Sequence, residues 1–198
     1  NSSAASDVYK RQYTMSLIVG NVHYLPLLDK SHLNGRRVCG ENRFMQPRFH
    51  IVMFHPEIPH NTGAAGRLAL ATGSRLHLIR PLGFSLDEKH VRRTGLDYWA
   101  KVDLHVWDSL EELKQAADPS ARFWYLSTKA RRSHWEADFR EGDYLVFGPE
   151  SRGLPESMLK EHAGTALTIP MPGEGSRSLN LSTAVAIVLY EGLRQLGI

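Results

Sequence analysis

Three runs set the fold class: Phe49-His-Ile-Val-Met-Phe54, then Asn61-Thr-Gly63-Ala-Ala-Gly66-Arg67, then Arg75-Leu-His-Leu-Ile-Arg80. The first is a short apolar run, which reads as a buried strand. Asn61 suits a helix cap for residues Thr62 to Thr72, and Gly73 suits the stop because it accepts a positive φ. Arg75 to Arg80 is a second strand, ended by Pro81. The same order recurs downstream. The first half of Ser85 to Gly95 is helical in pattern, and Val102 to Trp107 is a third strand. Asp108-Ser-Leu-Glu111 reads as a capping box that opens a helix. Further strands are expected at Phe123 to Thr128, Tyr144 to Phe147 and Ala166 to Ile169, with a short helix after Pro155 and a long one at the end. This alternation predicts an α/β domain over 45–198, with a mainly parallel sheet covered by helices on both faces.

Residues 1–44 differ in character. They hold six Lys/Arg and three Asp/Glu, while the rest of the chain holds 18 of each, so the net charge of +3 arises there. They are read as a disordered extension or a non-native leader, the other reading being a basic arm that holds RNA. Charge over the whole chain therefore carries no argument for nucleic acid. The single cysteine, Cys39, forms no internal disulfide, so the fold does not depend on an oxidising compartment. No Cys/His group has zinc spacing, and no metal is expected. No apolar run is long enough to cross a membrane. The stretch Leu179 to Leu196 is interrupted by Asn180, Glu191 and Arg194 and reads as a buried helix.

Ligands of open parallel sheets sit beyond the carboxyl ends of the strands. Three unusual loops lie there. The first, Pro56 to Arg67, places Gly63, Gly66 and Arg67 on one helix face; spacing alone also fits a small-residue packing face with a solvated Arg. The second is Phe147-Gly148-Pro149-Glu150-Ser151-Arg152-Gly153-Leu154-Pro155. It fixes an irregular backbone after a buried strand, with Glu150 held in it; a rigid turn with a surface Glu–Arg pair is the alternative. The third runs from Ile169 through Arg177, Ser178 and Asn180. There a helix capped by Ser178, with Asn180 as turn filler, fits as well as a functional role. Neither a dinucleotide fingerprint nor a P-loop is present.

Taken together and in this order, N-T-G-x-x-x-R, F-G-P-E-S-R-G-L-P and S-R-S-L-N-L-S resemble the three motifs of the SpoU/TrmH-like SPOUT RNA methyltransferases, over residues 48–197. The compact size, Pro81-Leu-Gly-Phe84 and Arg92-Arg-Thr-Gly-Leu-Asp97-Tyr98 resemble the subgroup that methylates the wobble ribose of leucine tRNAs. The resemblance implies a carboxyl-terminal deep trefoil knot and S-adenosylmethionine as methyl donor. It implies a homodimer as the working form, with tRNA, through its anticodon stem–loop, as partner, and a place in the cytoplasm. It assigns Leu126, Gly148, Ile169 and Ser178 to the cofactor, and makes Arg67 the first catalytic candidate, with Glu150, Arg177 and Asn180 shaping the pocket. A guanidinium stays protonated, so Arg67 is expected to orient and stabilise charge rather than remove a proton. Arg92, Arg93, Lys129, Arg131, Arg132 and Arg177 are the candidate RNA contacts, with Tyr98, Trp99 and Trp135 as stacking candidates. The broad apolar surface of Leu181, Val185, Val188, Leu189 and Leu196 is expected to face a second subunit. The alternatives are a 2′-O-methyltransferase acting on rRNA or another tRNA position, and a catalytically silent RNA-binding protein.

Overall fold

The protein is described by a computed structural model covering residues 46–86 and 98–198. The segment 1–44, the helical pattern beyond residue 86, and Arg92 and Arg93 lie outside the described residues. Seven strands form one sheet: β1 (Phe49–Phe54), β2 (Arg75–Ile79), β3 (Leu104–Trp107), β4 (Phe123–Leu126), β5 (Arg132–Ser133), β6 (Asp143–Phe147) and β7 (Ala166–Thr168). Their order is β3-β2-β1-β6-β4-β7-β5, and every pairing is parallel. Ile51 of β1 registers with Leu76 on one side and Leu145 on the other, and all three are fully buried. Among the described residues, four α-helices accompany the strands: α1 (Pro59–Thr72), α2 (Leu110–Ala116), α3 (Glu156–Glu161) and α4 (Leu181–Gln195).

Both faces of the sheet are covered, as the continuous apolar strands require. Phe49, Ile51, Met53, Leu145 and Phe147 face one core with α1 and α4; Val52, Tyr125 and Val146 face the other with Leu110 and Leu113 of α2. Met158 and Leu159 of α3 pack against the second core. Val185, Val188 and Leu189 are fully buried inside this chain, because α4 packs on both α1 and β6. Their apolar surface is therefore spent within the subunit, contrary to the expectation that it faces a partner. Leu181 and Leu196 pack at the margin of the same core.

Three helix starts differ from the sequence expectation. Helix α1 opens at Ile58, with Pro59 in the first turn, and Asn61 lies inside the helix rather than at its cap. Pro59 is preorganised for that place and needs no N–H partner. Helix α2 is capped by Ser109, whose Oγ accepts from Glu112 N, and Glu112 accepts from Asp108 N, one residue later than expected. Helix α4 is capped by Asn180, not Ser178: Oδ1 of Asn180 accepts from Ser182 N at 3.0 Å and Thr183 N at 3.4 Å. Gly73 does end α1, in the left-handed conformation. The two-residue strand β5 was not expected; it extends the sheet edge by pairing with β7.

Consecutive strands β1, β2 and β3 run outward in one direction, while β6, β4 and β7 lie on the other side of β1. The reversal opens a crevice at the carboxyl ends of the strands, where the loops after β1, β4, β6 and β7 converge.

Candidate active site

A pocket of about 710 Å³ fills that crevice. Leu126, Phe147 and Ile169 supply apolar wall from the ends of three strands, and Ser127, Gly148 and Pro149 bring backbone to its edge. Leu126, Gly148, Ile169 and Ser178, assigned to the cofactor by resemblance, all line it, as do Lys129, Glu150, Arg177 and Asn180. Such a volume, with apolar walls and a few fixed polar groups, fits a nucleoside-sized ligand. Three cations, Lys129, Arg152 and Arg177, stand at the pocket and give it a positive bias. In the sequence Arg152 reads as half of a surface Glu–Arg pair, and the fold brings it to the pocket.

Gly148 has a packing reason of its own. A Cβ there would run into the backbone nitrogen of Leu154 and approach the carbonyl carbon of Gly153 to 2.5 Å. The loop after β6 thus folds back on itself at the pocket wall.

The three loops are tied by a relay of side chains. Glu150 accepts from Glu57 N at 2.9 Å, Ile58 N at 3.3 Å and Asn61 Nδ2 at 2.9 Å. Its carboxylate thus sits at the start of α1, where helix N–H groups and dipole favour a negative charge. Asn61 Oδ1 accepts from Asn180 Nδ2 at 3.0 Å, and Asn180 Oδ1 caps α4. A carboxylate only accepts and a backbone N–H only donates, so the orientation of both amides is fixed. Glu57 answers from the other side: its carboxylate accepts from Ser151 Oγ at 2.7 Å and Ser151 N at 2.9 Å. Those bonds hold Glu57 below the usual carboxylate range. The missed member is Asn61, which is 2% exposed. An amide with one donor end and one acceptor end is what a bridge between a carboxylate and a second amide needs, but its local context reads as a cap.

Arg67 does not line the pocket. It is exposed on α1, with its guanidinium 4.6 Å over the ring of Tyr98. The Tyr98 hydroxyl donates to the carbonyl of Gly63 at 2.9 Å, one turn earlier. Trp99 packs against Gly66, where a Cβ would meet its ring at 2.6 Å, so Trp99 is occupied as a helix spacer. Trp135 remains 64% exposed. Arg131 is exposed, whereas Arg132 donates to the carbonyls of Glu136 at 2.5 Å and Gly164 at 3.3 Å.

The model of the SpoU rRNA methylase family matches residues 48–190, which include all three loops. The chain belongs to the SpoU methylase family. Among its relatives, the tRNA (cytidine(34)-2′-O)-methyltransferase of Saccharophagus degradans is 52% identical over 153 residues, covering 75% of this chain and 96% of that protein. A solved structure bearing on the 2-OH methylation of C/U34 on tRNA superposes with a TM-score of 0.70 at 51% identity, covering 75% of this chain and 96% of the other. The SpoU methyltransferase AviRb from Streptomyces viridochromogenes, solved with the cofactor AdoMet, shares the fold with a TM-score of 0.64 at 24% identity, covering 77% and 62% of the two chains. In this SpoU methylase, the relay through Glu150, Asn61 and Asn180 joins one residue from each of the three sequence motifs.

Proposed function

We propose that this chain is a tRNA 2′-O-methyltransferase that moves a methyl group from S-adenosylmethionine to the ribose of the wobble nucleotide, C or U at position 34, in leucine tRNAs. The observation that carries this is the pairing of a nucleoside-sized pocket, built from all three motifs, with 52% identity to an enzyme named as a tRNA (cytidine(34)-2′-O)-methyltransferase. Leu126 and Ile169 hold the cofactor's apolar surface, and Gly148 and Ser178 give it backbone and polar contacts. When bound, S-adenosylmethionine supplies an activated methyl on a sulfonium, so the protein has only to align the acceptor and manage charge. Arg67 stabilises the developing alkoxide or holds the neighbouring phosphate. Glu150 and Asn180 act through the relay, as positioning residues. Arg177 stands between cofactor and RNA, and Lys129, Arg131 and Arg132, with Arg92 and Arg93, meet phosphates.

Arg67 lies outside the pocket of its own chain, which supports a homodimer in which each active site is completed near the subunit contact. Leu70 of α1 and Tyr190 of α4, 40% and 54% exposed, are the apolar groups these packed helices leave for it. The adjacency of β6, β4 and β7, with the segments after all three lining one pocket, is the feature that fits a deep trefoil knot. Among the described residues no helix is long and apolar enough to cross a membrane; the cytoplasmic location follows from tRNA as the substrate.

The test is transfer of labelled methyl from S-adenosylmethionine to unfractionated tRNA, followed by nuclease mapping. A 2′-O-methylated pyrimidine at the wobble position in leucine acceptors is expected. Label entering only rRNA would move the substrate, and cofactor binding with no transfer to any RNA would leave a binding protein.

A further inference from the structure

The outer edge of the sheet carries a second cavity, of about 610 Å³, between the turn after β4 and helix α3. Four cations line it, Lys129, Arg131, Arg132 and Lys160, against one carboxylate, Glu156. The rest of its lining is alanine and Leu159, which leaves room and no competing polar groups. Lys129 also lines the candidate active site, so the two cavities share a wall.

The four cations play different parts. Arg132 is anchored by its two carbonyl contacts, with its guanidinium 5.5 Å over the ring of Trp124. It contributes a fixed charge. Lys129 reaches Glu156 at 2.8 Å, with the two side chains 54% and 67% exposed. A wet pair of this kind is weak and exchanges partners readily. Arg131 and Lys160 are exposed and neither forms an ion pair among the described residues, although the charge of Lys160 acts on Glu156 one helix turn away. Four cations around one carboxylate repel one another, and an entering anion relieves that repulsion.

We propose that this edge cavity is a phosphodiester site, which holds the backbone of the substrate RNA next to the nucleotide being methylated. Glu156 occupies Lys129 until a phosphate displaces it. Arg131 and Lys160 are the free arms, and Arg132 is the fixed one. The inference rests on RNA being the substrate of the neighbouring pocket, and adds where the strand leaves it.

The experiment measures binding of an anticodon stem–loop RNA to the full chain across a range of KCl concentrations, with S-adenosylmethionine affinity followed separately by calorimetry. Arg131→Glu and Lys160→Glu are each expected to weaken RNA binding about fivefold and to flatten the salt slope by about 0.7, with cofactor affinity unchanged. Glu156→Gln is expected to bind RNA severalfold more tightly, a gain that damage to the fold does not produce. Wild-type affinity and slope in both charge reversals would overturn the site. A Glu156→Gln protein that binds RNA no more tightly would overturn the displacement. Inorganic phosphate that competes with RNA at micromolar concentration would make this a free-anion site instead. A wild-type protein that binds cofactor but no RNA defeats the proposed function itself, an outcome distinct from normal RNA binding with indifferent variants.

Discussion

The side-chain amide of Asn180 donates to Oδ1 of Asn61 across 3.0 Å, although 119 residues separate them. Glu150 holds the other end of Asn61, so one buried amide connects the starts of α1 and α4 and the loop after β6. Removing it takes one partner from the half-buried Glu150, which keeps its bonds from Glu57 N and Ile58 N, and one from the exposed Asn180. Asn61→Ala is expected to cost about 0.5–1.5 kcal/mol in urea denaturation and to weaken S-adenosylmethionine binding, because two pocket walls lose their tie. Asn61→Asp should cost more at pH 7, since it sets a second carboxylate against Glu150. That loss should shrink as pH falls and one carboxyl takes a proton. An Asn61→Ala protein with wild-type stability and cofactor affinity would show that the relay is ornamental.

Arg67 is held by the ring of Tyr98 beneath its guanidinium, and Tyr98 is itself anchored by its hydroxyl on the Gly63 carbonyl. A stacked guanidinium keeps its N–H edge free for an oxygen ligand. Arg67→Ala is expected to leave cofactor affinity intact and to lower kcat about 10²-fold or more. Tyr98→Leu should lower kcat about fivefold, the worth of an exposed cation–π contact, and Tyr98→Phe should retain most of the rate. In the Arg67→Ala background, Tyr98→Leu should have no further effect. Additive losses would make Tyr98 a fold residue and nothing more.

The sheet was legible because buried parallel strands leave unbroken apolar runs such as Phe49–Phe54 and Tyr144–Phe147. Strand β5 was not, since two residues carry no periodicity. Cap positions slipped where neighbouring residues compete chemically. Asp108 and Ser109 both cap well, as do Ser178 and Asn180; Glu112 rather than Glu111 completes the first cap, and Asn180 is also held from afar by Asn61. Asn61 reads as a cap in the sequence because its partner Glu150 lies 89 residues away. The apolar excess of α4 points to a second subunit in the sequence because helical periodicity counts apolar faces without saying what covers them. Here α1 and the sheet cover them together. The four cofactor candidates came from motif resemblance, and the fold brings all of them to one pocket through loops from different strands.

His50 and His77 form a buried chain that opposes acid. Trp107 Nε1 can only donate, so at 2.9 Å it makes Nδ1 of His77 an acceptor; the remaining proton of His77 points at Nδ1 of His50, 2.8 Å away. Burial lowers His50 to about 4 and His77 to about 2, with nearby cations adding to the effect. Both folded values lie below the unfolded value of about 6.5. The unfolded chain therefore binds more protons once the pH drops below about 6.5, and stability falls from there towards pH 4. Each group contributes a slope of up to about 1.4 kcal/mol per pH unit. Denaturation at pH 7, 6 and 5 should show this decline, and His77→Gln should flatten it at some cost at pH 7. A wild-type midpoint constant from pH 7 to 5 would refute the assignment.

Gly148→Ala tests whether the loop after β6 has any slack. The added methyl meets backbone on both contacts, Leu154 N and the Gly153 carbonyl carbon, and neither is the movable end of a side chain. Relief requires residues 149–153 to lift, and with them Glu150, which removes the carboxylate from the start of α1. The expected result is a loss of about 1–3 kcal/mol of stability and a larger loss of S-adenosylmethionine affinity, since the same loop walls the pocket. Gly153→Ala acts differently: no atom stands within 4 Å of its Cβ, but φ is +69°, so the cost is backbone strain of about 1–2 kcal/mol. Calorimetry on both variants separates crowding from strain. Gly148→Ala should lose more cofactor affinity per unit of lost stability, and equal ratios would mean that Gly148 serves the fold without shaping the site.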